Sequence, residues 1–369
     1  MNRTETKYFY AFITFSVVLI SVYSVEPYTK QISISNTFIW WVINFSVLLA
    51  FFIYWQTYYK KGEGTYLNFV TYYIIWNLIC IFRGFDTAKT YWEWKGLAGN
   101  SMSLLLPLIS YCSTNILFVK NIFKTYLKFA LPLFAIIFYF ITTDSYGFYL
   151  APIGVLMLFF PLFSRKTKII IGLFTLLVLT VDLGARSNVI KFAMPVLFMT
   201  SYYFKQYIPI FLIETLRKLL FIIPFLFFVL AVTGVFNVFN FKQYSNVDFK
   251  ETRVDATGET IEDDISSDTR TFLYEEVLES AKKHDYWWFG RTPARGNDTK
   301  TFTAEAYLTG KEERLSNEVG ILNVFTWTGI IGVLFHFFIF YSSSYVSLHY
   351  SNNYLYKILS IFSAFRWLN

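Results

Sequence analysis

Trp287-Trp288-Phe289-Gly290-Arg291-Thr292-Pro293-Ala294-Arg295-Gly296 closes a charged, polar stretch, residues 237–317, inside a chain that is otherwise apolar. That stretch of roughly eighty residues holds about half of the charged side chains. The whole chain is 55% hydrophobic and 22% aromatic over 369 positions. This composition excludes an ordinary soluble domain and points to an all-α polytopic membrane protein with one large, partly helical outer loop. The reading divides the chain into a membrane domain over 1–236, the large loop over 237–318 and C-terminal span or spans over 319–369.

About ten spans are expected, each near the ~20 residues that a hydrocarbon core requires. They fall at 8–25, 37–57, 66–82, 101–119, 129–142, 148–163, 169–183, 189–204, 219–236 and 319–341. A last apolar stretch, 358–368, rises only about 17 Å as a helix and does not cross alone. It predicts an interfacial piece or part of a longer protein, so the expected total is about 10–11 transmembrane helices.

Orientation follows from the basic residues. Arg3/Lys7, Lys60/Lys61, Lys120/Lys124/Lys128, Arg165/Lys166/Lys168, and Lys205 with Arg217/Lys218 fall in alternate expected connections. The positive-inside rule makes those connections cytoplasmic and puts 26–35, 83–100, 144–147, 184–188 and the large loop outside. The net charge of +7 is then mostly topology. Acidic residues outnumber basic ones inside the large loop, which argues against nucleic acid as a partner. The N-terminal apolar run leads into Val25-Glu26-Pro27 without a small-x-small pattern and reads as uncleaved. Cys80 and Cys112 lie in expected spans and supply no disulfide to the outer loop.

Within the loop, 234–260 mixes β-prone and turn residues and reads as irregular. Ser266-Ser267-Asp268 offers helix N-caps, and 269–284 follows as a helix with Phe272, Leu273, Val277, Leu278 and Ala281 on its apolar stripe. Glu275, Glu276 and Glu279 lie opposite, with Lys282 and Lys283 at the C-terminal end, where the dipole favours cations. Arg270 opposes that dipole in the first turn, so either a carboxylate or a ligand holds it, or it is simply solvated. Glu262-Asp263-Asp264 reads as a solvated run, with cation binding the lesser alternative.

Arg291 and Arg295 offer the planar forks that bind phosphate bidentately, and the face of Trp288 suits sugar stacking. The same residues also make an interfacial anchor with snorkelling arginines. Arg314 precedes Glu318, which stands where the chain re-enters the bilayer. Glu318 is either a helix cap or a general base at the lipid boundary. Asp182 and Arg186, four apart in a short turn, pair as ions or present Arg186 to a ligand. The 83–100 loop, with Arg83, Asp86, Tyr91, Trp92, Glu93, Trp94 and Lys95, reads first as an interfacial belt. His284, His336 and His349 are scattered, so the sequence offers no His/Cys metal cluster, and neither a nucleotide-binding loop nor a serine-nucleophile motif occurs.

Taken in order, these features resemble the bacterial O-antigen and exopolysaccharide polymerases, the Wzy-type membrane glycosyltransferases. The resemblance rests on Gly184-Ala185-Arg186-Ser187 between middle spans, Arg270 at the start of a loop helix, and Gly290-Arg291 with Gly296. Arg314 and Glu318 ahead of a Gly-Ile-Ile-Gly span, Gly329 to Gly332, complete it. It implies transfer of a growing glycan from undecaprenyl pyrophosphate to another carrier-linked oligosaccharide, at the periplasmic face of the bacterial inner membrane. Arg186 and Arg270 would be catalytic ligands of the pyrophosphate and Glu318 the base, with Arg291, Arg295, Arg314 and Trp288 binding substrate. No cofactor or metal is implied; membrane lipid and a chain-length regulator are the implied partners. The related O-antigen ligases carry a late-loop His ahead of an Asn, where this chain has Ser316-Asn317. A lipid-linked sugar flippase is the non-enzymatic alternative, though transporters place charged residues at mid-bilayer.

Overall fold

The computed structural model describes residues 3–25, 41–42, 44–46, 48–49, 51–52, 65–181, 186–232, 250–254, 260–264, 271–299, 312–317, 319–350 and 352–367. In chain order its main elements begin with α1 (Arg3–Tyr23), α2 (Thr65–Thr87), α3 (Tyr91–Leu105) and α4 (Ile116–Thr125). They continue with α5 (Leu131–Ile137), α6 (Arg165–Val181), α7 (Arg186–Tyr203) and α8 (Ile210–Val232). The polar stretch supplies β1 (Lys250–Val254), β2 (Thr260–Asp264), α9 (Thr271–His284), β3 (Asn297–Asp298) and β4 (Glu313–Arg314). Two helices follow, α10 (Gly320–Tyr350) and α11 (Tyr354–Arg366).

Among the described residues three helical runs are long and apolar enough to cross a membrane: Leu67–Thr87, Ile116–Phe140 and Gly320–Tyr350. Several expected spans take another form. The run at 101–119 breaks at Thr114, and the Asn115 side chain caps α4 by accepting from the amides of Leu117 and Phe118. Helix then continues to Phe140 through a π-turn at Tyr126–Ala130 and α5. Lys120, Lys124 and Lys128, expected in a connection, therefore ride on a helix, and their spacing of four aligns them along one face. Arg217 and Lys218 likewise belong to α8. The expected span 148–163 is split into Tyr146–Tyr149, Ala151–Met157 and a 3-10 turn at Phe160–Leu162, with Pro152 and Pro161 at the breaks. Most of the expected 83–100 loop is helical, in the end of α2 and in α3.

The chain divides into two compact units. One comprises Met1–Tyr59, Cys112–Ile210 and Ser351–Leu359. Its core gathers Phe134, Ile153, Ile171 and Phe192 around Tyr126 and Tyr149. Within it, Tyr149 Oη donates to the Ala130 carbonyl at 2.8 Å, and Tyr126 Oη donates to the Tyr149 carbonyl at 2.9 Å. The π-turn widens the backbone ladder there, and the two buried phenols occupy each other's neighbourhood with every hydroxyl bonded.

The second unit comprises Lys60–Tyr111, Phe211–Tyr350 and Ser360–Asn369. Here α2 runs against α10, with Phe69 stacked on Phe338 at 5.3 Å between ring centroids. Phe221 of α8, Phe337 of α10 and Trp367 close an aromatic cluster, and the hydroxyls of Ser344 and Ser360 each donate to the other's carbonyl at 2.7 Å. Arg217 is buried with its guanidinium over the rings of Tyr341 and Tyr345. The β1–β2 hairpin pairs Lys250 with Asp264 through Val254 with Thr260, antiparallel, where an irregular stretch and a solvated run were expected.

Tyr149→Phe removes one buried hydrogen bond and should lower stability by about 1 kcal/mol. Thermal unfolding of the detergent-solubilised protein measures it, with an unchanged midpoint as the contrary result.

Candidate functional site

Helix α10 is broken at Gly329, whose φ of 69° and ψ of −170° leave the helical region. An unbroken helix would bond the Ile330 amide to the Thr326 carbonyl. Instead Ile330 N donates to the Trp287 carbonyl at 2.8 Å, and Thr326 O accepts from the Arg291 amide at 2.7 Å. The polar loop has thus taken the place of one helical hydrogen bond and satisfied both halves of it. Gly290, at φ 68°, and Gly329 face each other across this junction. A Cβ on Gly290 would strike the backbone of Trp327 and Thr328, and one on Gly329 would strike Trp288 and Phe289. Backbone approach this close is possible only without side chains.

Helix α2 holds the same loop from its other side. Arg83 Nη1 donates to the Phe289 carbonyl at 2.7 Å and Nη2 to that of Gly290 at 3.3 Å. Trp76 Nε1 donates to the Thr328 carbonyl at 2.9 Å. Buried Thr292 carries a φ of 83°, an uncommon conformation for a β-branched residue, and its hydroxyl lies 2.8 Å from that of Thr87. Asn100 of α3 donates to the Pro293 carbonyl at 2.9 Å. The segment is therefore clamped between helices of one compact unit.

Beyond it, β3 pairs with β4, placing Asp298 directly across from Glu313. Opposed like charges destabilise a strand pair. Arg291 lies between them: Nη1 donates to Asp298 Oδ1 at 3.1 Å and to the Gly296 carbonyl at 2.7 Å, and Nη2 donates to Glu313 Oε1 at 3.2 Å. Arg295 makes a forked contact to the same Glu313, through Nε at 3.1 Å and Nη2 at 2.5 Å. Its Nη1 lies 3.2 Å from Glu93 Oε1. The hydrogen bonds from Arg295 to Glu313 raise the arginine's pKa above its usual value. Glu93 is itself the N3 carboxylate of a capping box with Thr90 at the start of α3. Arg314 Nε stands 4.0 Å from Glu276 Oε2.

Asp298 also receives Lys283 Nζ at 2.7 Å and His284 Nε2 at 2.8 Å, from the last turn of α9. Burial pushes its pKa up, but the bonds from Lys283 and His284, with the charge of Arg291, outweigh that and hold it below the usual carboxylate value. A cavity of about 580 Å³ opens beside these groups. That is within the range of small-molecule sites. Its described wall bears the carboxylates of Glu276, Glu279, Asp298, Glu312 and Glu313. The cations Lys283, Arg291 and Arg295 line it too, with His284.

The expected site residues separate on this geometry. Arg291, Arg295 and Arg314 come together, but as partners of carboxylates within a loop network. Among the described residues lining the adjoining cavity, carboxylates outnumber the two arginines, Arg291 and Arg295. The Trp288 side chain is 61% exposed at the edge of the loop, a placement that fits sugar stacking and bilayer contact equally. Arg270, Glu318 and the side chain of Arg186 lie outside the described residues. His284 reads from sequence only as one of three scattered histidines, and Asp298, fourteen positions on, carries no motif. Glu93 was legible through Thr90-x-x-Glu93, the capping-box pattern. Among the described residues no set of three or more His, Cys, Asp or Glu is arranged to hold a metal ion. Comparison with protein-family models, characterised proteins and solved structures finds no significant match to this chain.

Gly290→Ala should cost about 1–2 kcal/mol from the left-handed backbone alone, more from the clash with the Trp327 and Thr328 backbone, and expose the loop to protease. Gly320→Ala, at a position with no neighbour within 4 Å, is the matched control; equal behaviour of the two variants would contradict the junction. Because the Asp298 pKa is depressed on folding, its contribution is present at neutral pH and is lost as pH falls below the unfolded value of about 3.9 and through the folded one. Hydrogen exchange of residues 283–299 should accelerate across that acid window in the wild type, and Asp298→Asn should flatten the dependence.

Proposed function

We propose that this chain is a polysaccharide polymerase of the O-antigen or exopolysaccharide type. It joins a growing glycan on undecaprenyl pyrophosphate to a carrier-linked repeat unit at the periplasmic face of a bacterial inner membrane. One observation carries the reading: the Gly290-Arg291 and Gly329-to-Gly332 elements, far apart in sequence, meet at the broken helix beside a polar cavity. Two of the elements that suggested the family, Gly290-Arg291 and Gly329 to Gly332, thus meet. A loop fastened to a membrane-type helix is also what a donor anchored in lipid requires, since the reacting carbon stays near the bilayer surface.

The reaction needs negative charge stabilised on a departing diphosphate and an acceptor hydroxyl oriented for attack. In this reading Arg186 and Arg270 serve the diphosphate and Glu318 the acceptor. Arg291, Arg295 and Arg314 bind substrate in this reading, and each also holds a carboxylate of the cavity wall.

Removing a group that stabilises transition-state charge typically costs ~10²–10³ in rate. Arg186→Ala and Arg270→Ala should therefore each abolish visible polymer while leaving the protein in the membrane. Glycan profiling of a complemented deletion strain reads this directly. Exported single units agree with the proposal; normal chain lengths in both variants refute it, and unmodified core with stored long polymer would indicate a ligase.

A further inference from the structure

Resting on that transferase reading, we propose that the cavity between α9 and the β3–β4 pair is the acceptor-glycan subsite. His284 is its catalytic base, and Asp298 is the residue that positions it. The first argument is the charge of the wall. Among the described lining residues five carboxylates stand against three permanent cations, and Arg291 and Arg295 are each bonded to carboxylates already. A diphosphate approaching these carboxylates would be repelled by them. A neutral or amine-bearing sugar would not, and carboxylates accept strong hydrogen bonds from its hydroxyls. The volume, about 580 Å³, is ample for sugar rings.

The second argument is the imidazole. His284 lines the cavity with its side chain 32% exposed, and its Nε2 lies 2.9 and 2.8 Å from the two Asp298 oxygens. A carboxylate only accepts, so Nε2 is the donor to Asp298 and Nδ1 is the ring nitrogen left to face a ligand. Asp298 is itself fixed by Lys283, by Arg291 and by its amide donating to Ser280 Oγ at 3.0 Å, so the ring's orientation is set by a rigid partner. In the step this permits, Nδ1 takes the proton of the acceptor hydroxyl as its oxygen bonds to the anomeric carbon of the donor. The bond from that carbon to the diphosphate oxygen breaks, and the electron pair leaves with the diphosphate. The imidazolium then returns its proton to solvent. With His284 taking the proton, Glu318 is left to orient the acceptor hydroxyl.

The test uses the full chain in detergent or liposomes. Its probe is the repeat-unit oligosaccharide released by mild acid from the carrier lipid of a deletion strain. Wild type should bind it, inorganic pyrophosphate should not displace it, and Glu279→Ala with Glu312→Ala should weaken binding about tenfold, as loss of charge-assisted hydrogen bonds implies. His284→Gln should keep that affinity within about twofold and keep the KM for acceptor, yet lower kcat by ~10²-fold or more. Asp298→Asn should lower kcat in the same way, and Asp298→Glu should restore part of it, a rescue that simple unfolding of the loop would not give. Displacement by pyrophosphate, unaltered binding in the Glu279/Glu312 variant, or wild-type turnover by His284→Gln would overturn the proposal. If wild type binds the oligosaccharide but joins nothing, the transferase reading and the base assignment fall while the subsite stands. If it polymerises without binding the oligosaccharide, the subsite falls and the transferase reading stands.

Discussion

Two backbone hydrogen bonds organise everything around the polar loop. A helix interrupted inside an apolar layer exposes a carbonyl and an amide that have no water to bond, at a cost of several kcal/mol each. The break at Gly329 is tolerable because the Trp287 carbonyl and the Arg291 amide take those two groups. The loop depends on the helix equally, since its tight turn at Gly290 and the strained Thr292 persist only where neighbours hold them. Each element therefore explains the other's irregularity. The side chains of Arg83 and Trp76 extend the same arrangement by bonding the remaining nearby carbonyls.

From this junction the chain carries its charges outward in a fixed order. Arg291 anchors the backbone at one end and, through its guanidinium, reconciles Asp298 with Glu313 at the other. Arg295 links Glu313 to Glu93 and so to the first turn of α3. These are partly buried, multiply bonded pairs, unlike the isolated exposed ion pairs that contribute little. Their consequence is geometric: the carboxylates line a cavity and cannot collapse on one another, and His284 is held against it by Asp298.

Much of the helical class was legible in composition, because long apolar runs have few alternatives. Helix α9 was readable at Thr271–His284 from its apolar stripe and basic end, within two residues of its expected start. Boundaries elsewhere were not. Lys120, Lys124 and Lys128 suggest a connection by charge and a helix face by spacing, and spacing prevailed. The β1–β2 hairpin escaped notice because Lys-Glu-Thr-Arg-Val and Thr-Ile-Glu-Asp-Asp lack a clear apolar alternation. The site was half visible. Its glycines and arginines stood out as residues with special backbone and charge, but partnership is not written in one segment. Nothing in the local sequence ties Arg295 to Glu93, two hundred positions away, or His284 to Asp298.

We propose that the loop's arginines build a carboxylate-lined receptor for sugar and leave the diphosphate to other groups. The most direct test is a cryo-electron microscopy map of the full chain with a carrier-linked repeat unit bound. Sugar density is expected against His284 and Asp298, with the diphosphate away from Arg291 and Arg295. A diphosphate chelated by Arg291 and Arg295, with their contacts to Glu313 broken, would contradict it.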